Sequence, residues 1–169
     1  MIPAIIFVVF PFAMIYAALS DMFTMTIANR VSLLLIVTFV AIAPFIGLTW
    51  MQVAMHLAAF AVVLTATFGL FAAGVMGGGD AKLMASTALW LGLGPALMNY
   101  LLFATIAGGV LTLVLMMFRK SALATYAGEV RVLRRIIDEK DIPYGIALAF
   151  GGLASFHLSP AMIWALAQA

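Results

Sequence analysis

Two aspartates, Asp21 and Asp80, lie at the edges of apolar segments in a chain that is 67% hydrophobic and only 8% charged. Asp80 ends the run Gly77-Gly78-Gly79-Asp80 and is followed by Ala81-Lys82-Leu83. Carboxylates set against hydrocarbon are costly, and by default they mark a working site. Neither aspartate has an arginine at helical spacing to neutralise it. If the fold brings the two together, both cannot ionise easily, and the pair shares a proton. The ionised member can then take a proton from water while the protonated member donates to a carbonyl oxygen, which is the chemistry of amide hydrolysis. Glycines before Asp80 allow backbone conformations closed to other residues and let an extended peptide approach the main chain. Unwound backbone of this kind is tolerated at membrane depth where it lines a wet cavity. Plainer roles exist for each residue. Asp21 could be a helix-end residue, Asp80 the N-cap of the next helix, and Lys82 a cation reaching for the membrane surface.

The elements that must position these groups are membrane helices. A soluble domain is about one-quarter charged, so the solvent here is lipid and the unit of structure is an apolar run of roughly 20 residues. Six such runs are expected: 2–20; 31–49, kinked at Pro44; 53–76; a short one from just after Asp80 to 93; a fifth, after a turn at Gly92, Gly94 and Pro95, to Phe118; and 143–166. All eight Lys and Arg and all six acids fall between runs 1 and 2, 3 and 4, or 5 and 6. The positive-inside rule makes that face cytoplasmic and puts both termini outside. Asp21 and Asp80 then share one membrane depth. Trp50, Trp90 and Trp164 fall near the uncharged face, as interfacial anchors do. Residues 121–138 carry Leu123, Tyr126, Val130, Leu133 and Ile137 at steps of three and four, so an amphipathic helix on the cytoplasmic surface is expected between spans 5 and 6. The expected architecture is an all-α integral membrane protein, one polytopic domain over 1–169, surrounded by membrane lipids. A net charge of +2 gives no reason to expect nucleic acid. The absence of cysteine removes disulfides, thiolate metal sites and a cysteine nucleophile. No cleavable signal peptide is expected, because residues 1–20 lack a basic leading region and form a run long enough to stay in the membrane.

The segment Gly77-Gly78-Gly79-Asp80-Ala81-Lys82-Leu83 resembles the G-x-G-D-x-K-L motif of the type IV prepilin peptidases, membrane aspartic peptidases of the GxGD class. Their first motif is an aspartate at the inner end of an early span with I-P-N ending eight residues on; here Asp21 is followed by Ile27-Ala28-Asn29, with Ala28 in place of the proline. Ile142-Pro143-Tyr144-Gly145 is similar to the family's I-P-[FY]-G. The resemblance implies that Asp21 and Asp80 are catalytic, with Gly77, Gly79, Lys82 and Asn29 as supporting motif positions. It implies cleavage of a short basic leader from prepilin-like substrates at the cytoplasmic face of a bacterial inner membrane, with pilus-assembly machinery as a further partner. No cofactor or metal is implied. Full-length members add a region with paired CxxC motifs and a methyltransferase activity. This chain has no cysteine and no room before its first span, so N-methylation is not expected, and it resembles the minimal peptidase-only form found with Flp (tight-adherence) pilus systems.

Other signals are read as packing. His56 and His157 fall towards the outer face, away from the aspartates. Pro95-Ala96-Leu97 matches a motif of presenilin-like proteases but lies on the outer turn. Gly74 with Gly78, and Ala104 with Gly108, have the spacing of helix-packing pairs. Three alternatives stay open: a GxGD protease acting on other single-span substrates, a small proton-coupled transporter, and an assembly subunit in which neither carboxylate matters. A transporter favours ionisable groups near the midplane, whereas both acids here sit at one interface.

Overall fold

The computed structural model describes residues 1–121 and 142–168, and every regular element among them is helical. The helices are α1 (Ile2–Thr24), α2 (Asn29–Ile42, continued by a 3-10 turn over Ala43–Phe45), α3 (Trp50–Ala72), α4 (Gly78–Leu91), α5 (Pro95–Arg119), α6 (Gly145–Phe156) and α7 (Pro160–Ala167). The expected amphipathic helix lies, apart from Ser121, outside the described residues.

The helix at the centre of the packing is α4, which packs against α2, α3, α5, α6 and α7. Nine of its residues are buried. Where it faces the others it carries small residues (Ala81, Ala85, Ser86, Thr87 and Ala88), which let neighbouring backbones come close. Trp90, near its C-terminal end, centres a ring cluster with Phe10 at 5.3 Å, Phe39 at 6.0 Å and Phe156 at 6.1 Å. The outer helices turn their bulk outward: Val8, Phe12, Ile15 and Leu19 of α1 are all exposed, the pattern of a surface facing hydrocarbon.

Three helices, α1, α3 and α5, are long and apolar enough to cross a bilayer, and a fourth crossing results if α6 and α7 count as one span bent by 46°. Six spans are therefore not established. The α2 segment is shorter, and α4, with 14 residues, is about 21 Å long against the roughly 30 Å of a hydrocarbon core.

Several expectations change. Pro44 does not kink a continuous span; α2 stops at Ile42 and Pro44 sits in the 3-10 turn. The last run is broken: Ser159 caps α7 by accepting from the Met162 N–H at 3.2 Å, and Pro160 occupies its first position. Trp90 is no interfacial anchor. It is fully buried and donates its indole N–H to the Leu35 carbonyl at 2.9 Å, whereas Trp50 is 91% exposed. Gly74 and Gly78 do not share a helix. Gly74 ends α3 in a left-handed turn (φ 71°), where the Val75 N–H bonds the Leu70 carbonyl and the Gly74 N–H bonds that of Phe71, a Schellman-type stop. Ala104 and Gly108 do mark a close approach: a Cβ on Gly108 would run into the Tyr144 ring, and the Ala104 backbone lies against Gly151.

Candidate active site

Asp21 sits in the last turn of α1 and is 6% exposed. The helix ends at Met25, which takes a left-handed conformation (φ 52°) and returns its N–H to the Asp21 carbonyl at 2.8 Å. That conformation turns the chain sharply back toward α2. Asp80 reaches the same place from the other side as the third residue of α4. It is therefore not the N-cap, a position that Gly77 holds without any side-chain cap. A carboxylate in the first turn of a helix is favoured by the helix dipole. Both aspartates line one cavity of about 650 Å³, together with Met25, Gly77, Thr112 and Tyr144. A smaller cavity of about 240 Å³, also lined by both, continues past Ile27 and the glycine run.

The Asp21 carboxylate is held from a third element. The Gly145 N–H, first in α6, donates to Asp21 Oδ2 at 2.7 Å. Any side chain at position 145 would lie 2.9 Å from Asp21 Cβ and Oδ2 and 2.9 Å from Ile27 Cδ1. Gly79 has a parallel constraint: a Cβ there would meet Ile27 Cβ at 3.1 Å and the Ile27 backbone at 3.3 Å. Buried Ile27 is thus wedged between two glycines belonging to two different helix starts. At Gly77 a Cβ would stand 3.0 Å from Asp80 Oδ2. The reason for the glycines therefore differs from the sequence expectation. Gly78 and Gly79 are already helical, and none of the three has positive φ. What they supply is space: Gly77 for the Asp80 carboxylate, Gly78 for the Phe71 ring and Gly79 for Ile27.

The supporting positions also meet. Lys82 Nζ donates to Asn29 Oδ1 at 3.0 Å, joining the start of α4 to the start of α2 at the exposed edge of the site. Ala28, where the resembled family carries proline, has φ −66° and ψ 136°, a conformation proline adopts without strain. Gly145, Ile27 and Met25 were not singled out for these roles from the sequence. The Ile-Pro-Tyr-Gly segment was the available signal for the first, since a proline two residues before a glycine fixes the backbone just ahead of a residue with no side chain. Tyr144 packs under Gly108 and puts its hydroxyl 3.4 Å from the Ala104 carbonyl, fixing that entry against α5. His56 lies in the other half of the molecule, bonded to the Leu89 carbonyl at 2.7 Å and packed on Phe39. Among the described residues no three His, Cys, Asp or Glu side chains are grouped to hold a metal ion.

The site therefore offers two carboxylates, one oriented by a main-chain donor, on the wall of a cavity large enough to admit a peptide segment. Residues 8–115 match the model of the type IV leader peptidase family. That span includes both aspartates, the glycine run, Lys82 and Asn29. No curated protein and no solved structure matches the chain.

Proposed function

The chain belongs to the type IV leader peptidase family, and we propose that it is an aspartic endopeptidase in which Asp21 and Asp80 are the two carboxylates of the reaction. The observation that carries this reading is their presence on one cavity wall, with the Gly145 N–H on Asp21. A peptide entering that cavity has its scissile carbonyl between the two acids. One carboxylate takes a proton from water as the water attacks the carbonyl carbon; the other gives its proton to the carbonyl oxygen. The tetrahedral intermediate collapses: its C–N bond breaks, the amine takes the proton held by the acid that first served as base, and a hydroxyl returns its proton to the other carboxylate. Lys82, Asn29, Gly77 and Gly79 act indirectly, by fixing the two loop-to-helix junctions.

The substrates are prepilin-like proteins with a basic leader, cut at the cytoplasmic face of a bacterial inner membrane. The α2 segment and α4 serve as further crossings, which gives six in all and puts both termini outside. Protein surrounds α4, so it can be shorter and more polar than a helix that must meet lipid. Residues 1–169 act as one peptidase domain of the Flp-pilus type.

Leader cleavage measured in membranes at equal protein abundance tests the assignment. Asp21→Asn and Asp80→Asn should each lower the rate by at least about 100-fold, the scale of a lost general acid or base. Wild-type rate should fall on both sides of a pH optimum, the two limbs belonging to the pair. Cleavage by Asp80→Asn at close to the wild-type rate would overturn the assignment.

A further inference from the structure

Outside the site, a groove of about 420 Å³ runs between α1 and α2, lined by Phe12, Ala13, Tyr16, Arg30, Val31 and Leu34. Its chemistry is graded. Arg30 and Tyr16 form one end, near the turn that follows Asp21. One helical turn further along each helix the walls are Phe12 and Leu34, both exposed and apolar. Arg30 Nη2 donates to the Tyr16 hydroxyl at 2.8 Å, and the guanidinium stands 5.8 Å from the centre of the Tyr16 ring. Because the tyrosine oxygen accepts from Arg30, its own hydrogen points away from the guanidinium, and the guanidinium keeps further N–H donors of its five. The end of the groove is thus a set of hydrogen-bond donors with one positive charge, and none of the six lining residues is acidic.

We infer that this groove binds one anionic phospholipid, its phosphate on Arg30 and the Tyr16 hydroxyl and an acyl chain along Phe12 and Leu34. The charge pairs with a phosphodiester, the donors match its oxygens, and the apolar walls match the chain beneath it. A cation that merely reaches for water accounts for the exposure of Arg30. It does not account for its bond to Tyr16 at the mouth of an apolar groove.

The test is native mass spectrometry of the full chain released from detergent, titrated with phosphatidylglycerol, with phosphatidylcholine of the same acyl chains, and with inorganic phosphate. Wild type should retain one phosphatidylglycerol with roughly five-fold preference over phosphatidylcholine, the weight of one cation near an anionic headgroup. Arg30→Ala should abolish the preference, Arg30→Lys should keep part of it, and Tyr16→Phe should weaken it. Leu34→Trp, which fills the groove and leaves the charge in place, should reduce retention of both lipids. Unchanged preference in Arg30→Ala overturns the inference. So does unchanged retention in Leu34→Trp, which would leave only surface charge, or displacement of the lipid by inorganic phosphate. Lipid retention is read without any cleavage step, so these outcomes do not depend on the peptidase assignment.

Discussion

The two ends of the helix bundle are finished in opposite ways. At the end away from the aspartates, two helix starts carry side-chain caps and two buried rings bond backbone carbonyls, although α5 begins there uncapped after Gly94. Thr49 and Gln52 form a reciprocal capping box at α3, Ser159 caps α7, and His56 and Trp90 bond the carbonyls of Leu89 and Leu35. At the aspartate end, α2, α4 and α6 all begin without a side-chain cap, after Ala28, Gly77 and Tyr144. One N–H left over by that arrangement, that of Gly145, goes to Asp21 instead. Caps are worth about 1 kcal/mol each. Side-chain caps thus occur only at the far end among the described residues, while at the aspartate end the helix starts are packed by glycines against Ile27 and one free N–H serves a carboxylate.

Substitutions at the two ends should therefore fail differently. The largest effect is expected for Gly145→Ala. Its Cβ meets Asp21 and Ile27 at 2.9 Å, so the carboxylate must move, and a displacement of about an ångström can cost roughly 100-fold in rate. Steady-state cleavage should show the loss in kcat with the protein still folded in detergent. Next is Gly79→Val, which crowds Ile27. It should cost about ten-fold or more, and Ile27→Ala in the same chain should recover part of the loss. A purely additive double-mutant cycle would remove Ile27 as the shared neighbour. At the other end, Trp90→Phe breaks the bond to Leu35 and should lower stability by about 1–3 kcal/mol, read by denaturant unfolding, while cleavage per folded molecule stays at the wild-type value. A comparable loss of kcat in Trp90→Phe would erase the contrast between the ends. The smallest effect is expected for Ala28→Pro. The backbone is already at φ −66°, so the change should stabilise by about 0.4–1 kcal/mol with little effect on rate.

Asp21 and Asp80 were legible as a pair because each stands in a charged connection at the edge of an apolar run, and one cavity holds both. The long apolar runs made the helical class legible as well. What the sequence left dark was set by third parties. Three glycines before an aspartate signal freedom of the backbone, yet Gly79 is helical and small because Ile27, 52 positions earlier, presses on it. Trp90 has the sequence position of an anchor but is buried, because α4 is surrounded by its neighbours. The break before α7 was readable, since Ser159-Pro160 is a cap followed by a first-turn proline, and the strong hydropathy of the run masked it. The span count met its limit at α4 for a related reason: a helix enclosed by protein need be neither long nor apolar.

The contact between Gly145 and Asp21 also makes the site observable without a substrate. A main-chain N–H bonded at 2.7 Å to a carboxylate oxygen has a proton resonance that responds to whether that oxygen carries charge. Isotopic labelling of glycine alone would reduce the amide spectrum to 14 positions, one of which is this donor. Its chemical shift followed across pH would give a titration curve for Asp21 in the resting protein, and Asp80→Asn would show directly how far the second carboxylate displaces it.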